Sequence, residues 1–297
     1  MRYTKMVRFH ELNPAVIALW FFTVTGTAMF CSYPLICFLT LTAGVLLFLV
    51  RNGRNHIRTH LFFLILYVIL TIANPLVSHN GKTVLFVMND NPVTLEALLY
   101  GLNSATMLTG VLYMFRSFTQ IMTSEKLLYI TSLLSPKISL VLSMAVRYVP
   151  LFNRQGQKVS DTQKAMGLYA DDNIIDDITG RMRIFSSVST WALENGIVTA
   201  DSMAARGFGT GRRTALKRFS FTLTDTAFLI LTVILASTVI VAAAHGSLEF
   251  DFYPEMSGIH PDHTGKAGLA AFLLLVLMPV FKETEALIKW KYSESKI

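Results

Sequence analysis

Six long apolar segments constrain the fold of this chain more than any other feature of its sequence. Each holds roughly 15–23 mostly apolar residues, enough for a helix to cross about 30 Å of hydrocarbon when flanking residues assist the shorter ones. The sequence therefore predicts an all-α integral membrane protein with about six transmembrane helices. The segments lie at about 15–31, 33–50, 61–77, 96–115, 222–244 and 267–281.

The composition supports a membrane protein rather than a nucleic-acid-binding one. Hydrophobic residues make up 53% of the chain and charged residues only 15%, whereas soluble domains carry about a quarter charged residues. The formal net charge of +7 would suggest nucleic acid in a soluble protein. Because the apolar residues lie in blocks, we attribute the excess positive charge to the cytoplasmic lipid face and predict no nucleic-acid partner.

The distribution of basic residues predicts the orientation of the spans. If the N-terminus is inside, the outside segments are 32–34, 78–95 and 245–266, and they hold only Lys82 and Lys266 of the 26 Lys and Arg residues. Positively charged loops stay on the cytoplasmic side. We therefore predict a multi-pass protein of the plasma membrane with both termini in the cytoplasm.

The central region, 117–221, separates the spans at 1–116 from those at 222–297 and is too long for a simple loop. Ser135 and Pro136 suit an N-cap and the first helical position, and a helix is expected from 138 to 166. Its first half is apolar and should lie in or against the bilayer, and its second half is polar. Pro150 should kink it where the character changes.

A second amphipathic helix is expected over about 181–206. One apolar face recurs at helical spacing and is formed by Ile184, Val188, Trp191 and Val198. Gly167 and Gly207 are plausible stops for the two helices. Each helix thus ends in a small-x-Gly tripeptide, Ala165-Met166-Gly167 in the first and Ala205-Arg206-Gly207 in the second.

Arg206 is the strongest candidate for a functional side chain. Its guanidinium is always charged and pairs bidentately with carboxylates, although a basic residue near a helix C-terminus is also favoured by the helix dipole alone. Two further motifs stand out in the sequence. His10, Asn13 and Pro14 precede the first span, and Arg147 and Pro150 belong to the segment Arg-Tyr-Val-Pro, where a charge in an apolar surround usually faces protein, water or headgroups.

Taken together, these motifs resemble the transmembrane coupling subunit, EcfT, of energy-coupling factor (ECF) transporters, which are ABC-type importers of vitamins and metal ions. The resemblance covers nearly the whole chain. It rests on His10-x-x-Asn13-Pro14, on Arg147 to Pro150 leading into a long helix, and on the segment Ala-Asp-Ser-Met-Ala-Ala-Arg-Gly at 200–207. The last of these is the most specific of the three.

The resemblance implies a coupling component rather than an enzyme. In that family, two cytoplasmic coupling helices end in Ala-Arg-Gly motifs that dock into two cytosolic ATPases, which bind the ATP, and a membrane-embedded S component binds the transported substrate. Ala205, Arg206 and Gly207 match the second motif. The first should fall at Ala165, Met166 and Gly167, where the arginine is missing; the groove on a divergent ATPase could be apolar there, or the module could be specialised.

Other interpretations of the sequence remain open. A permease of an ordinary ABC importer also docks on ATPases, and Asp201 with Arg206 superficially resembles the motif of CDP-alcohol phosphotransferases, although Ser202 replaces its glycine. Metal sites are conceivable but not predicted, because acidic connections are usually solvated and the histidine spacing is loose. The residues in question are Asp171, Asp172, Asp176 and Asp177, and, near the last span, His245, His260 and His263.

Overall fold

A computed structural model describes residues 9–52, 57–77, 81–88, 91–168, 174–211, 219–253 and 262–294. The chain divides into two compact units. The first consists of Met1–Thr123 with Phe219–Ile297, and the second of Ser124–Arg218. Helix α4 runs to Ile121, a few residues past the start of the central region drawn from the sequence at 117.

Most of the described secondary-structure elements are α-helices. After a short 3₁₀ helix at Phe9–Glu11 come α1 (Pro14–Phe30), α2 (Pro34–Asn52), α3 (Ile57–Val77), β1 (Val84–Met88), β2 (Asn91–Thr94), α4 (Leu95–Ile121), α5 (Ser124–Leu134), α6 (Pro136–Ala165), α7 (Ile174–Ala205), α8 (Leu223–Ala244) and α9 (His263–Glu294).

The predicted membrane spans are confirmed as helices. Within the described residues, five segments are long and apolar enough to cross a membrane: Pro34–Arg51, Ile57–Val77, Leu95–Ile121, Leu223–Ala244 and His263–Glu285. The sixth, α1, is apolar but has only 17 residues. It is largely buried, and Trp20 on it donates a 2.9 Å hydrogen bond from Nε1 to the Leu275 carbonyl on α9.

A small β-hairpin departs from the all-α prediction. Strands β1 and β2 pair antiparallel, with Phe86 opposite Val93 and an irregularity between Val84 and Phe86. The run Val-Leu-Phe-Val-Met favours a strand because β-branched and aromatic residues suit a pleated surface. Thr94 ends the hairpin and caps α4, accepting a hydrogen bond from Ala97 N. The sequence reading treated this segment only as an outside connection.

Glycines allow the helices of the first unit to approach closely. A Cβ on Gly44 of α2 would lie 2.8 Å from the Cβ of Tyr113 on α4, and one on Gly110 of α4 would lie 3.0 Å from Leu41 N on α2. A Cβ on Gly101 of α4 would likewise lie 2.8 Å from the carbonyl oxygen of Thr71 on α3. Small residues at such crossings permit close packing where the membrane supplies no hydrophobic driving force, and α4 is thereby held between α2 and α3.

The second unit contains α5, α6 and α7 and differs from the sequence prediction in two places. The sequence reading did not anticipate α5, which packs on α6 through a 3.1 Å hydrogen bond from Ser139 Oγ to the Leu128 carbonyl. Helix α7 begins at Ile174 rather than 181. Asp176 and Asp177 occupy its first turn, where the helix dipole favours acidic residues, and Asp177 pairs with Arg181 at 3.0 Å.

Candidate functional site

The end of α6 is a glycine-terminated Schellman motif. Gly167 adopts a left-handed backbone with φ of +70°, which suits glycine because it has no Cβ. Its N–H donates to the Lys164 carbonyl at 3.0 Å, and the N–H of Leu168 donates to the Gln163 carbonyl at 3.1 Å. These bonds satisfy carbonyls that the last helical turn would leave unpaired. The predicted stop at Gly167 is confirmed.

The end of α7 has the same geometry. Gly207 has φ of +76°, and its N–H donates to the Ala204 carbonyl at 3.0 Å. The N–H of Phe208 donates to the Met203 carbonyl, also at 3.0 Å. We call residues 165–167 the first tip and residues 205–207 the second tip.

The likeness of the two tips extends to the residues that precede and follow each tripeptide. Aligning Gly167 with Gly207 gives Asp-Thr-Gln-Lys-Ala-Met-Gly-Leu at 161–168 and Asp-Ser-Met-Ala-Ala-Arg-Gly-Phe at 201–208. Both share an aspartate, a hydroxyl residue, the alanine, the glycine and a final large apolar residue. The cap residues also match, since Met166 N donates to the Thr162 carbonyl at 3.1 Å and Arg206 N to the Ser202 carbonyl at 3.2 Å.

Helix α8 shows that the cap alone does not distinguish the tips. Gly246 has φ of +70° and its N–H bonds to the Ala243 carbonyl at 3.0 Å. The next N–H, that of Ser247, bonds to the Ala242 carbonyl at 3.2 Å. There a polar serine follows the glycine, whereas Leu168 and Phe208 follow it at the tips and are 53% and 45% exposed. The tips are therefore Schellman caps with an added exposed apolar residue.

Helices α6 and α7 cross in antiparallel fashion through an aromatic and hydroxyl contact. Tyr148 OH and Thr199 Oγ1 lie 2.8 Å apart. Tyr148 stacks on Phe152 with ring centroids 5.5 Å apart, and Phe152 meets Trp191 edge-on at 6.1 Å. Tyr148 was not among the candidate residues, although its spacing of four from Phe152 places both on one helix face.

The crossing corrects one residue of the predicted apolar face. Ile184, Val188 and Trp191 are half-buried, but Val198 is 61% exposed. Seven residues separate Trp191 from Val198, and over that length the contact line follows Asn195 and Thr199 instead. Asn195 satisfies its own amide by donating to the Trp191 carbonyl at 3.1 Å.

The antiparallel crossing sets the two tips at opposite ends of the helix pair. Beside the first tip, Arg183 Nη1 of α7 donates to the Leu168 carbonyl at 3.3 Å. From Arg183 to Arg206 the helix rises roughly 35 Å. The pair therefore presents two equivalent helix ends separated by about the diameter of a small domain.

The side chains at the tips are open to solvent. Met166 is 61% exposed, and Ala165, Ala205 and Arg206 are also exposed. No acidic side chain of the described residues forms an ion pair with Arg206. The first tip thus offers an apolar side chain at the cap position, and the second offers an unopposed guanidinium with five donors.

Arg147 and Pro150 lie on the exposed surface of α6. The helix continues through Pro150 from Pro136 to Ala165, and the predicted start at Ser135 and Pro136 is confirmed. Helix α6 is not among the described helices that are both long and apolar enough to cross a membrane. Arg147 is exposed, and its neighbours three and four residues away on the helix include the apolar residues Met144, Pro150 and Leu151.

The predicted N-terminal motif lies in the first unit and consists of His10, Asn13 and Pro14. Its residues connect the start of α1 with α8 and α9. Asn13 is buried, caps α1 by accepting from Ala15 N at 3.0 Å, and donates its own N–H to Asp225 Oδ1 on α8 at 2.9 Å. His10 Nδ1 lies 3.7 Å from Glu283 Oε1 on α9. Pro14 is buried at the first position of α1.

The acidic and histidine clusters form no metal centre in the part of the chain that the structure describes. No group of three or more His, Cys, Asp or Glu side chains there could hold a metal ion. Asp176 and Asp177 are on α7, while Asp171, Asp172 and His260 lie outside the described residues. Cys31 and Cys37 are both buried and free.

Comparison with known proteins identifies the family. The profile of the family described as CbiQ, cobalt transport protein, matches residues 8–216, which is well over half of the chain. The energy-coupling factor transporter transmembrane protein EcfT of Streptococcus equi subsp. equi (strain 4047) is 31% identical over 101 residues. That match spans 33% of this chain and 38% of the relative.

The matched region contains every candidate docking and coupling residue predicted from the sequence, from His10 to Gly207. The family consists of transport proteins rather than enzymes, as the sequence predicted, and the resemblance to ECF coupling subunits is confirmed. With its apolar helices and its two Schellman-capped tips, this chain belongs to the CbiQ cobalt transport protein family.

Proposed function

We propose that this chain is the coupling component of an ECF-type importer and that its two tips dock into two cytosolic ATPase subunits. The observation that carries the proposal is the pair of exposed, equivalently capped helix ends at opposite ends of α6 and α7. Two separated ends of one antiparallel pair suit two separate partners. A single coupling loop, as in an ordinary ABC permease, would present one.

The mechanism follows from the stiffness of the helices and their mutual contact. ATP binding closes the two ATPases, so the tips seated in them move relative to one another. Because Tyr148, Phe152 and Trp191 bind α6 to α7 near the crossing, displacement of one tip is transmitted to the other helix. In this scheme the chain itself binds no ATP and catalyses no reaction. Its helices α6 and α7 transmit the movement of the ATPases to the membrane.

The second proposed partner is a membrane-embedded S component that binds the cargo. Helix α7 carries apolar side chains on the face turned away from α6, and Met182, Phe185 and Leu193 are 63%, 69% and 71% exposed. Exposed apolar areas of this kind mark protein or membrane contacts. The name of the family, cobalt transport protein, makes a transition-metal ion the first cargo to test, ahead of vitamins.

Affinity capture from native membranes tests this proposal. The tagged chain should be solubilised in mild detergent and its companions identified by mass spectrometry. We expect ABC-type ATPase chains together with a small membrane protein that binds the cargo. Capture of ATPases with a second permease and no such binding protein would favour an ordinary ABC importer, and capture of no ATPase would contradict the proposal.

A further inference from the structure

We propose that the two tips dock into chemically different grooves and that the two ATPase subunits are therefore non-identical polypeptides. One groove supplies carboxylates to Arg206, and the other supplies an apolar pocket to Met166. This inference rests on the proposed function and goes beyond it by specifying the partners of each tip.

The backbone geometry excludes a conformational explanation for the difference between the tips. Corresponding backbone hydrogen bonds differ by no more than 0.1 Å, at 3.0 and 3.0 Å, 3.1 and 3.0 Å, and 3.1 and 3.2 Å. The two glycines have φ of +70° and +76°. Met166 and Arg206 therefore occupy the same position of the same cap, and only their side chains distinguish what each can bind.

Arg206 requires acceptors in its groove. Its guanidinium is exposed and has no acidic partner among the described residues. Burying it in an interface without carboxylate or carbonyl acceptors would leave a charge and its donors unpaired, which is strongly unfavourable. The groove that receives the second tip must therefore be acidic or rich in acceptors.

Met166 requires the opposite kind of groove. A thioether donates no hydrogen bond, so carboxylates placed to receive a guanidinium would lose water at this tip and gain no donor. Met166 and Leu168 are 61% and 53% exposed and together form an apolar end. Methionine adapts well to irregular apolar pockets, and such a pocket complements this end.

Lys164 does not restore the missing charge at the first tip. It lies two residues before Met166, a rotation of about 200° on a helix, and residues with this spacing do not face the same side. A lysine also lacks the planar fork of a guanidinium. The first tip therefore differs from the second in the chemistry of the cap position itself.

Identical ATPase subunits would not complement both tips. A symmetric homodimer presents the same groove twice, so one of the two tips would meet the wrong chemistry. Two different ATPase polypeptides remove this conflict. Each tip then selects its own subunit, since specificity depends on an unfavourable mismatch with the other groove as well as on a good fit with its own.

Site-specific photocrosslinking in the assembled complex tests the assignment. A photoreactive amino acid is placed at 166 or at 206, and the crosslinked products are identified by mass spectrometry. We expect position 166 to crosslink one ATPase polypeptide and position 206 a different one. Crosslinking of both positions to the same polypeptide would overturn this inference while leaving the proposed function intact, whereas absence of any ATPase in the unsubstituted complex would overturn both.

Exchange of the cap side chains provides a second test with conservative controls. Met166→Arg should lower recovery of its ATPase by about tenfold or more, because each 1.4 kcal/mol of binding energy changes affinity tenfold, while Met166→Leu should retain it. Arg206→Met should reduce recovery of the other ATPase only. Unchanged or increased recovery with Met166→Arg would show that the first groove is acidic and would contradict the inference.

Discussion

The backbone N–H of Asn13 donates a 2.9 Å hydrogen bond to Oδ1 of Asp225, although the two residues are 212 positions apart in the chain. The other carboxylate oxygen accepts from Thr222 N at 2.9 Å and from Thr222 Oγ1 at 2.7 Å. One carboxylate thus caps α8 and fixes the start of α1. Helix α8 is the first helix after the second unit in the chain. The Asp225 carboxylate therefore fixes the position of the first membrane helix that follows that unit.

Replacing Asp225 with alanine should destabilise the first unit by about 3 kcal/mol. The side chain is only 2% exposed, and its removal leaves the buried Asn13 N–H without its acceptor, which costs more than the net value of the hydrogen bond. Thermal unfolding in detergent measures the effect. Glu249→Ala removes an exposed carboxylate and should change stability by less than about 0.5 kcal/mol. Equal effects of the two substitutions would refute the structural role of Asp225.

Close packing at Gly44 leads to a second prediction about stability. Gly44→Ala should cost about 1–3 kcal/mol, because the new Cβ would lie 2.8 Å from Tyr113 Cβ and force α2 and α4 apart. Gly26→Ala is the matched control, since no atom lies within 4 Å of its Cβ position. Unfolding of both variants in the same detergent compares them. If the unfolding midpoint of Gly44→Ala equalled that of the wild type, the crossing of α2 and α4 would tolerate a larger side chain.

Long apolar segments made the membrane helices predictable, while tertiary contacts decided what the sequence did not reveal. Ser135, Pro136, Gly167 and Gly207 act locally, through capping and backbone conformation, so the bounds they set could be read in advance. The start of α7 at Ile174 was missed because an aspartate-rich segment also suits a solvated loop. The hairpin before Thr94 was missed because it depends on pairing between two strands, which a short apolar run does not specify.

The cap residues of the candidate site could be predicted from the sequence, whereas the residues that make long-range contacts could not. Arg206 and Gly207 stood out by motif, whereas Tyr148 and Asp225 did not. Tyr148 acquires its role only when Thr199, 51 residues away, meets its hydroxyl. Asp225 does so only when Asn13 reaches it from the other end of the chain. No local pattern encodes either partnership.

The left-handed glycine of the second tip should matter for docking as well as for the helix. Gly207→Ala places a Cβ at φ of +76°, which costs about 1–2 kcal/mol and should fray the tip. We expect recovery of the ATPase to fall by about fivefold or more. Gly196→Ala lies in the interior of the same helix with open space around it and should leave recovery unchanged. If both variants, or neither of them, lowered recovery of the ATPase, a specific role for the Gly207 cap would be excluded.

Charge reversal at the second tip should separate docking from membrane insertion. Arg206→Glu should insert normally but lose one ATPase, because an acidic groove would repel the new carboxylate. Arg154→Glu reverses an exposed charge on α6 away from both tips and should assemble normally. The readouts are the ATPase content of the purified complex and ATP-driven uptake of the cargo. An intact, fully active Arg206→Glu complex would show that Arg206 does not bind an ATPase.

Cysteine accessibility at the two tips tests the central claim most directly. Ala165→Cys and Ala205→Cys place exposed thiols beside the cap residues, and Leu85→Cys places one on the exposed hairpin that is predicted to lie outside. A membrane-impermeant maleimide is applied to right-side-out and to inside-out vesicles, with and without the ATPase subunits. We predict that the tip cysteines are labelled only in inside-out vesicles and are protected by the ATPases, while Leu85→Cys is labelled only in right-side-out vesicles. Labelling of either tip from the exterior would contradict the account.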